Sequence, residues 1–526
     1  MIRGAVVLTL CAFAAIAQDY DLIIRSGRIA DGTGNPAFFA DVAVKDGRIA
    51  KVGRIDEKAD KEIDAAGMIV APGFIDVHTH AEDILDLPLA ENFARMGVTT
   101  AVLGNCGSSV LDVGEFFKKL ETAPPSINVA TLIGHGTVRG KMMGGSFMRP
   151  PTTNEMVEMK RLVERAMRDG AVGLSTGLIY LPGTFAKTEE LIELAKVAAA
   201  FDGIYASHMR DEGNDIDKSL AELFRIAREA QIRAEVSHIK LSGKNNWGRP
   251  AEIVGVIEKA RAEGLDITQD EYGYDASSTG ISQLIPDWAR EGGKFHERIS
   301  DPEQKAQVIG EMKTRLVRSK RDDYAYAVIA EYKKDRCLNG LNLVQAANKR
   351  SGGTSSASPL TATLEDQISL IFEIQTNGGA SAVFHSMSED DLRVFLQHPN
   401  TMIASDSGVR RYQEGVPHPR GYGNNARILA RYVRELHLLR LEDTIRKMTS
   451  LPATTFHIVD RGFIRPGAWA DIAIFDPAKV QDNATFDDPH HYATGFRCVL
   501  VNGVPVVKDD LHAQARPGKP VRRGEH

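Results

Sequence analysis

Eight short apolar runs, each ending in polar residues, recur along the middle of this 526-residue chain and restrict its fold most strongly. Most of them are followed by a segment with the apolar spacing of an amphipathic helix. Strands that alternate with helices predict parallel pairing through right-handed crossovers, so eight such units predict an α/β fold of the (β/α)8 TIM-barrel type. The eight runs are Phe74–His80, Thr100–Cys106, Val129–His135, Val172–Thr176, Ile204–His208, Ala234–His238, Ile267–Tyr272 and Met402–Asp406. The helix-like segments between them include Asn154–Arg168, Glu189–Phe201, Ile216–Ala230 and Ala251–Ala262.

The two ends of the chain have a different pattern, in which short apolar runs are separated by glycine-containing turns. We expect residues 18–71 and 460–526 to form together one small β-sandwich domain beside a barrel at residues 72–459. A long stretch separates the seventh run from the eighth. It predicts an inserted subdomain at roughly 281–380 that is helix-rich from about Asp301 to Lys320.

The first residues match a secretory signal peptide. Arg3 precedes an apolar segment that ends in Ala15-Ile16-Ala17, a pattern of small residues typical of signal-peptidase cleavage. We expect residues 1–17 to be removed and the protein to be exported to the periplasm or the outside of the cell. The segment is too short for a transmembrane span, and we expect no other membrane contact.

Composition excludes some classes of function. The formal net charge of −6 gives no basic surface for nucleic acid, and the chain contains no recognition motif for DNA or RNA. After signal cleavage the remaining cysteines would be Cys106, Cys337 and Cys498, which do not make a disulfide framework. The sequence does not indicate an oligomeric state.

The ends of the predicted strands carry residue types that bind metal ions. His78 and His80 alternate at the end of the first run, so both imidazoles face the same side of the strand. In a barrel of this type the carboxyl ends of all strands meet at one mouth, where active sites are found. Imidazole, thiolate and carboxylate groups are ligands of Zn2+. The candidate ligands at these strand ends are His78, His80, Cys106, His208, His238 and Asp406.

Longer motifs surround these candidate ligands. They are Gly73–His80, Gly104–Gly107, Gly134–Arg139, Gly173–Tyr180, Ser207–Glu212, Ser237–Lys240, Ser405-Asp406 and His418–Arg420. With these motifs, the chain resembles the N-acyl-D-amino-acid deacylases (D-aminoacylases) of the amidohydrolase superfamily over nearly its whole mature length. Many members of that superfamily bridge two metals with a carbamylated lysine, whereas this chain has Ser175 and Thr176 at its fourth strand. The cysteine at the second strand, Cys106, is characteristic of the D-aminoacylase branch.

The resemblance implies zinc-dependent hydrolysis of the amide bond of a small-molecule N-acyl-D-amino acid, which gives a carboxylate and a free D-amino acid. Metal-activated water would attack the amide carbonyl, with Asp406 as general base and then general acid. The resemblance also implies one tight Zn2+ site and a second, weaker one. It places the tight site at Cys106, His208 and His238, the weaker site at His78, His80 and Asp406, and the substrate carboxylate at Lys240, Tyr272, Ser278 and Arg420.

Other functions stay open from the sequence. Gly173–Gly177 fits the G-x-S-x-G nucleophile elbow, so a serine hydrolase would use Ser175. A metal-binding homologue without catalysis fits the same fold, as does an amidohydrolase of a cyclic amide, a ureide or an acylated peptide fragment. We expect His135 to be a structural residue at the barrel mouth.

One segment departs from the resemblance. The stretch between Asp406 and Arg420 is several residues longer than the resemblance implies, and it contains Arg410 and Arg411. The placement of Arg420 and the preferred side chain of the substrate therefore stay open at this point.

Overall fold

The computed structural model describes residues 19–351 and 362–525. The predicted signal peptide, residues 1–17, lies outside the described residues. Within the described ranges, no helix has the length and apolar character needed to cross a membrane.

Both ends of the chain contribute strands to one sheet beside the barrel. Strand β5 (Ile69–Pro72) joins the strands of the two chain ends, because it pairs in parallel with β1 (Tyr20–Ile29) and antiparallel with β18 (Ile472–Phe475). Apolar side chains from both halves, such as Ile24, Val42 and Ile472, share one cluster. The domain made from both chain ends is present, but its strands are hydrogen-bonded in one sheet rather than in the two facing sheets of the predicted sandwich. These strands are β1 (Tyr20–Ile29), β2 (Phe38–Lys45), β3 (Arg48–Gly53), β4 (Ala59–Asp64), β5 (Ile69–Pro72), β18 (Ile472–Phe475), β19 (Phe496–Val501), β20 (Val504–Lys508) and β21 (Leu511–His512).

The middle of the chain forms the predicted parallel barrel. Its strands are β6 (Phe74–Asp76), β7 (Val98–Leu103), β8 (Asn128–Thr131), β9 (Ile133–Gly134), β10 (Gly173–Gly177), β11 (Ile204–His208), β12 (Arg233–Val236), β13 (Ile267–Glu271) and β17 (Thr401–Ile403). The third barrel strand consists of two segments, since β8 pairs with β7 and β9 pairs with β10. Strand β17 pairs with β13, and a parallel bridge between Thr79 and Ser407 joins it to the first strand and closes the ring.

Helices cover the outside of the barrel, as their apolar spacing predicts. Helix α6, for example, buries Leu220, Leu223 and Ala227, which recur every three or four residues on one face. Helix α4 begins with a capping box between Thr152 and Glu155. The barrel helices are α1 (Glu91–Ala94), α2 (Val113–Thr122), α3 (His135–Met143), α4 (Thr153–Arg168), α5 (Thr188–Ala199), α6 (Ile216–Ala230), α7 (Pro250–Ala262), α13 (Glu389–Gln397), α14 (Arg420–Arg427), α15 (Leu441–Met448) and α16 (Ser450–Thr455), and a π-helix (Ile428–Glu435) continues α14.

The segment between β13 and β17 has its own hydrophobic core and its own sheet. The sheet is antiparallel and three-stranded, in the order β14-β16-β15, and the sequence prediction did not include it. The helix expected from about Asp301 to Lys320 is α10. The elements are β14 (Ser277–Gly280), β15 (Ala327–Glu331), β16 (Ser381–Phe384), α8 (Asp287–Arg290), α9 (Phe295–Ser300), α10 (Pro302–Arg318), α11 (Leu343–Arg350) and α12 (Leu364–Thr376).

Candidate metal centre and active site

The barrel brings all six candidate metal ligands together at its carboxyl mouth. Two of the groups that could hold an ion are His78 with Cys106 and His238, and His78 with His80 and Asp406. In each group, one ligand atom from every residue lies within 4.8 Å of the others. Residues far apart in the chain therefore converge on one point, because the parallel strands end side by side.

The backbone at three of these positions adopts a conformation that is rare for residues other than glycine. The φ angles of Cys106, His238 and Asp406 are 52°, 37° and 48°. Such conformations cost free energy, and they concentrate at sites where the surrounding structure holds a side chain in a required direction. All three residues lie two or three positions after the ends of barrel strands, so the chain turns sharply there and directs their side chains into the mouth.

The sulfur of Cys106 lies at the centre of one set of contacts. Its Sγ is 3.3 Å from Nε2 of His78, 3.7 Å from Nδ1 of His208 and 3.7 Å from Nε2 of His238. The imidazoles of His208 and His238 approach each other to 2.8 Å. A thiolate with several imidazoles is a donor set that suits Zn2+.

Asp406 forms the second set of contacts. Its Oδ1 lies 3.2 Å from Nε2 of His80 and 3.6 Å from Nε2 of His78. Its Oδ2 lies 2.9 Å from the guanidinium of Arg420. The long segment before Arg420 therefore does not displace that residue from the site.

The electrostatics of the site favour the ionised forms of Cys106 and Asp406. Burial alone would raise the pKa of Cys106, but the charge of His78 and hydrogen bonds to His208 and His238 hold it well below its ordinary value. Burial likewise opposes ionisation of Asp406, but the charge of Arg420 and the contact with His80 hold its pKa well below the ordinary range. Metal binding requires a thiolate and a carboxylate, and the direction of both pKa shifts favours these forms.

Two carboxylates behind the ligands were missed by the sequence analysis. Asp270 accepts a hydrogen bond from the backbone N–H of His238 at 3.0 Å and lies 3.2 Å from Nδ1 of His78. Glu212 lies 2.9 Å from Nδ1 of His238. Carboxylates in this position orient metal-binding imidazoles. A signal for both was present, since Asp270 lies near the end of a predicted barrel strand and Glu212 follows His208 by four residues.

Of the four residues expected to bind the substrate carboxylate, three line cavities at the mouth. Lys240 donates to Glu212 at 2.8 Å, and Arg420 donates to the backbone carbonyl of Ser278 at 3.4 Å. Tyr272 is fully buried instead, and its hydroxyl donates to the sulfur of Met387. The ring of Tyr272 lies 4.5 Å from the guanidinium of Arg420 and 5.8 Å from the amine of Lys240. The structure therefore places Tyr272 as a support for the two cations.

Three cavities meet at Ser278 and Asp406, and both residues line all three. The first cavity, of about 410 Å³, also contains Arg410 and Arg420. The second, of about 220 Å³, extends from His208 and Lys240 towards the inserted segment. The third, of about 520 Å³, is lined beyond the ligands by small or apolar residues. The candidate metal centre is thus open to a ligand with three branches.

Tyr180 is a further residue at this junction that the sequence analysis did not single out. Its ring centroid lies 4.9 Å from that of His208, and its hydroxyl accepts a hydrogen bond from Thr279 at 3.1 Å. It lines both the second and the third cavity. Its position after the fourth barrel strand, within the motif Gly173–Tyr180, was the available signal.

Two other residues lie away from the chemistry. Ser175 is in the middle of β10 rather than at a turn, and its hydroxyl donates to the carbonyl of Gly104 and accepts from the N–H of Gly107. This environment does not suit a serine nucleophile, which needs an adjacent base. His135 is buried and lies 2.9 Å from Glu190, so it has a structural position as expected.

The chain is similar in sequence and in fold to several known proteins. A family model described as "Amidohydrolase family" matches residues 61–507. D-aminoacylase from Alcaligenes xylosoxydans xylosoxydans is 34% identical over an alignment that covers 96% of this chain and 98% of that protein.

Two solved structures cover the fold almost completely. One is a D-aminoacylase with a binuclear metal centre, described as activated by one metal and attenuated by the second. It is 33% identical to this chain, with a TM-score of 0.81, and the match covers 96% of this chain and 100% of that one. The other is N-acyl-D-glutamate deacylase from Bordetella bronchiseptica, complexed with zinc and a phosphonate mimic of the tetrahedral intermediate. It has 33% identity, a TM-score of 0.80, and coverage of 96% and 99%.

Proposed function

The chain belongs to the amidohydrolase family, as a relative of the N-acyl-D-amino-acid deacylases, and we propose that it hydrolyses the amide bond of N-acyl-D-amino acids. The products would be a carboxylate and a free D-amino acid. One observation carries the proposal: Asp406, a member of the candidate metal centre, lines all three cavities, and Cys106, His80, His208 and His238 each line at least one of them. Each cavity can receive one branch of an N-acyl amino acid.

Zinc is the cofactor that the donor set fits. Cys106, His208 and His238 would hold the tighter ion, and His78, His80 and Asp406 would hold a second. When bound, zinc would polarise the amide carbonyl and lower the pKa of the attacking water. The relatives solved with zinc or with a binuclear centre support this assignment.

Asp406 is the group to which we assign proton transfer. It is ionised in the site, because Arg420 and His80 outweigh the effect of burial on its pKa. An ionised carboxylate can accept a proton from the attacking water and then deliver it to the nitrogen of the leaving amine. Its lining of all three cavities puts it beside any amide bound at their junction.

The first cavity suits the α-carboxylate of the substrate. Arg420 and Arg410 both line it, as does Ser278, which the three cavities share. A guanidinium can bind a carboxylate through two parallel hydrogen bonds. Lys240 faces the same junction from the second cavity, and the buried ring of Tyr272 supports it together with Arg420.

The third cavity suits the acyl group. Beyond His80, Cys106 and Asp406 its lining contains no charged side chain, and it includes Leu181 and Pro182. An uncharged, partly apolar surface favours a neutral acyl chain over a charged one. The carbonyl of that acyl group would then lie beside the metal-binding side chains.

The stereochemistry of the substrate and the location of the protein are two further parts of the proposal. The preference for the D enantiomer is supported by the relatives that act on N-acyl-D-amino acids. Export is supported by the signal-like pattern at residues 1–17. Amino-terminal sequencing of the protein recovered outside the cytoplasm would test cleavage after Ala17.

Release of free amine from paired N-acetyl-D- and N-acetyl-L-amino acids tests the function. The substrates should include both neutral and acidic side chains, and the zinc-loaded protein should be compared with chelated protein. We expect zinc-dependent turnover of the D series. Turnover that resists chelation, or hydrolysis of the L series alone, would contradict the proposal, as would zinc-loaded, folded protein that hydrolyses neither series.

A further inference from the structure

Arg321 is a cation of the second cavity that the proposed chemistry does not use. It follows helix α10 in the inserted segment and lines the cavity of about 220 Å³ that also contains His208, His238 and Lys240. Its guanidinium stacks 3.7 Å from the ring centroid of Tyr326, and it donates to the backbone carbonyl of His385 at 3.4 Å. These two contacts hold the guanidinium in place.

Arg321 differs from the other cations around the candidate metal centre in its ion-pair partners. Lys240 lies 2.8 Å from Glu212, and Arg420, at the shared junction, lies 2.9 Å from Asp406. Across residues 19–351 and 362–525, no carboxylate oxygen lies within the 4.0 Å of an ion pair from Arg321. Half-burying a charge without an ion-paired carboxylate costs free energy, which the more distant Asp323 offsets only in part and which a bound anion would offset further.

The surroundings of Arg321 suit an anionic group of the substrate. The cavity lining near it contains uncharged hydrogen-bonding side chains, including Gln283, Ser319 and Ser386. The carboxylate of Glu212, in the same cavity, is already bound by Lys240 and His238, so it does not neutralise Arg321. The α-carboxylate and the acyl group have been assigned to the other two cavities, which leaves this one for the side chain.

We propose that Arg321 binds a carboxylate on the side chain of the substrate, so that the enzyme favours N-acyl amino acids with acidic side chains. The inference rests on the proposed function and specifies its substrate class. Arg321 would determine specificity through a charge-assisted hydrogen bond and would take no part in the proton transfers. A planar guanidinium fixed on Tyr326 is preorganised for such a contact, which reduces the cost of ordering it on binding.

The test compares N-acetyl-D-glutamate with N-acetyl-D-glutamine, which have nearly the same shape and differ in side-chain charge. For the zinc-loaded enzyme we expect kcat/KM to be about tenfold to a hundredfold higher for the glutamate compound, as one hydrogen bond to a charged group provides. Arg321→Gln should remove this preference mainly by lowering kcat/KM for glutamate, and Arg321→Lys should restore part of it. Arg318→Gln is the matched control, because Arg318 is exposed at the last position of helix α10, three residues before Arg321, and does not line the cavity.

The outcomes separate this inference from the proposed function. Equal kcat/KM for the two compounds in the wild type, or a preference that survives in Arg321→Gln, would overturn the role of Arg321 while leaving the deacylase reaction standing. If neither compound is hydrolysed although other N-acyl-D-amino acids are, the acidic preference is overturned and the deacylase reaction stands. If no N-acyl-D-amino acid is hydrolysed, the proposed function fails, and calorimetric dissociation constants for the two compounds then test the role of Arg321. Tighter binding of the glutamate compound that is lost in Arg321→Gln would support the inference, whereas equal or absent binding would overturn it.

Discussion

Replacement of Cys106 by alanine should weaken zinc binding without unfolding the protein. The Sγ atom of Cys106 contacts three imidazoles at 3.3 to 3.7 Å. The substitution therefore removes the sulfur ligand of the tighter site. Apparent binding free energies of about 10–16 kcal/mol for sites with four ligands correspond to roughly 3 kcal/mol for each ligand. At 1.4 kcal/mol per tenfold change, we expect the dissociation constant for zinc to rise about a hundredfold.

Zinc titration in competition with a chromophoric chelator measures this change directly. Cys337→Ala is the matched control, because Cys337 is an exposed cysteine in the inserted segment and should leave the dissociation constant unchanged. A thermal unfolding curve of each chelated variant would show whether the fold is intact. A dissociation constant for Cys106→Ala within about threefold of the wild type would refute the assignment of this cysteine as a zinc ligand.

Three further predictions concern the proton-transfer group, the support of a ligand and a buried charge. Asp406→Asn should lower kcat by about 10²–10⁴-fold in a steady-state assay, and unchanged kcat would exclude Asp406 as general base. Asp270→Asn should weaken zinc binding at the second site by about 10–100-fold in the chelator titration, because the amide orients His78 less well than the carboxylate 3.2 Å away. Burial lowers the pKa of Lys447 from 10.5 to about 8. Between about pH 8 and pH 10.5 Lys447 is therefore protonated in the unfolded chain but not in the folded one. Across this range the free energy of unfolding of the wild type should rise by about 3 kcal/mol relative to that of Lys447→Met. Parallel pH dependences of the two proteins in urea unfolding would contradict this.

Much of the candidate site could be predicted because its signals are local. Each candidate ligand ends or follows an apolar run. In a parallel barrel the carboxyl ends of all strands meet at one mouth, so residues at these positions lie close together. His78 and Asp406, far apart in the chain, therefore approach to 3.6 Å, as the pattern suggested. Asp270 and Glu212 had similar local signals, but the sequence alone could not show which polar neighbour contacts a ligand.

The sheet of the inserted segment could not be predicted in the same way. Its strand β14 reads Ser277–Gly280 and has no apolar alternation, and it pairs with β16 about a hundred residues later. Such pairing depends on tertiary packing rather than on local propensity. The sequence likewise predicts one sandwich domain from both chain ends, but it does not show that β5 pairs with strands of both ends and joins them into one sheet.

The sequence by itself determined the parallel barrel, the six candidate metal ligands and their shared mouth, because strand periodicity and strand ends are local properties. Only the tertiary structure decided the partner of each charge. It paired Arg420 with Asp406 and Lys240 with Glu212, buried Tyr272 behind both cations, and left Arg321 without a carboxylate partner within ion-pair distance among the described residues. The physical reason is that ion pairing and burial depend on distances between residues from different elements, which no local pattern contains.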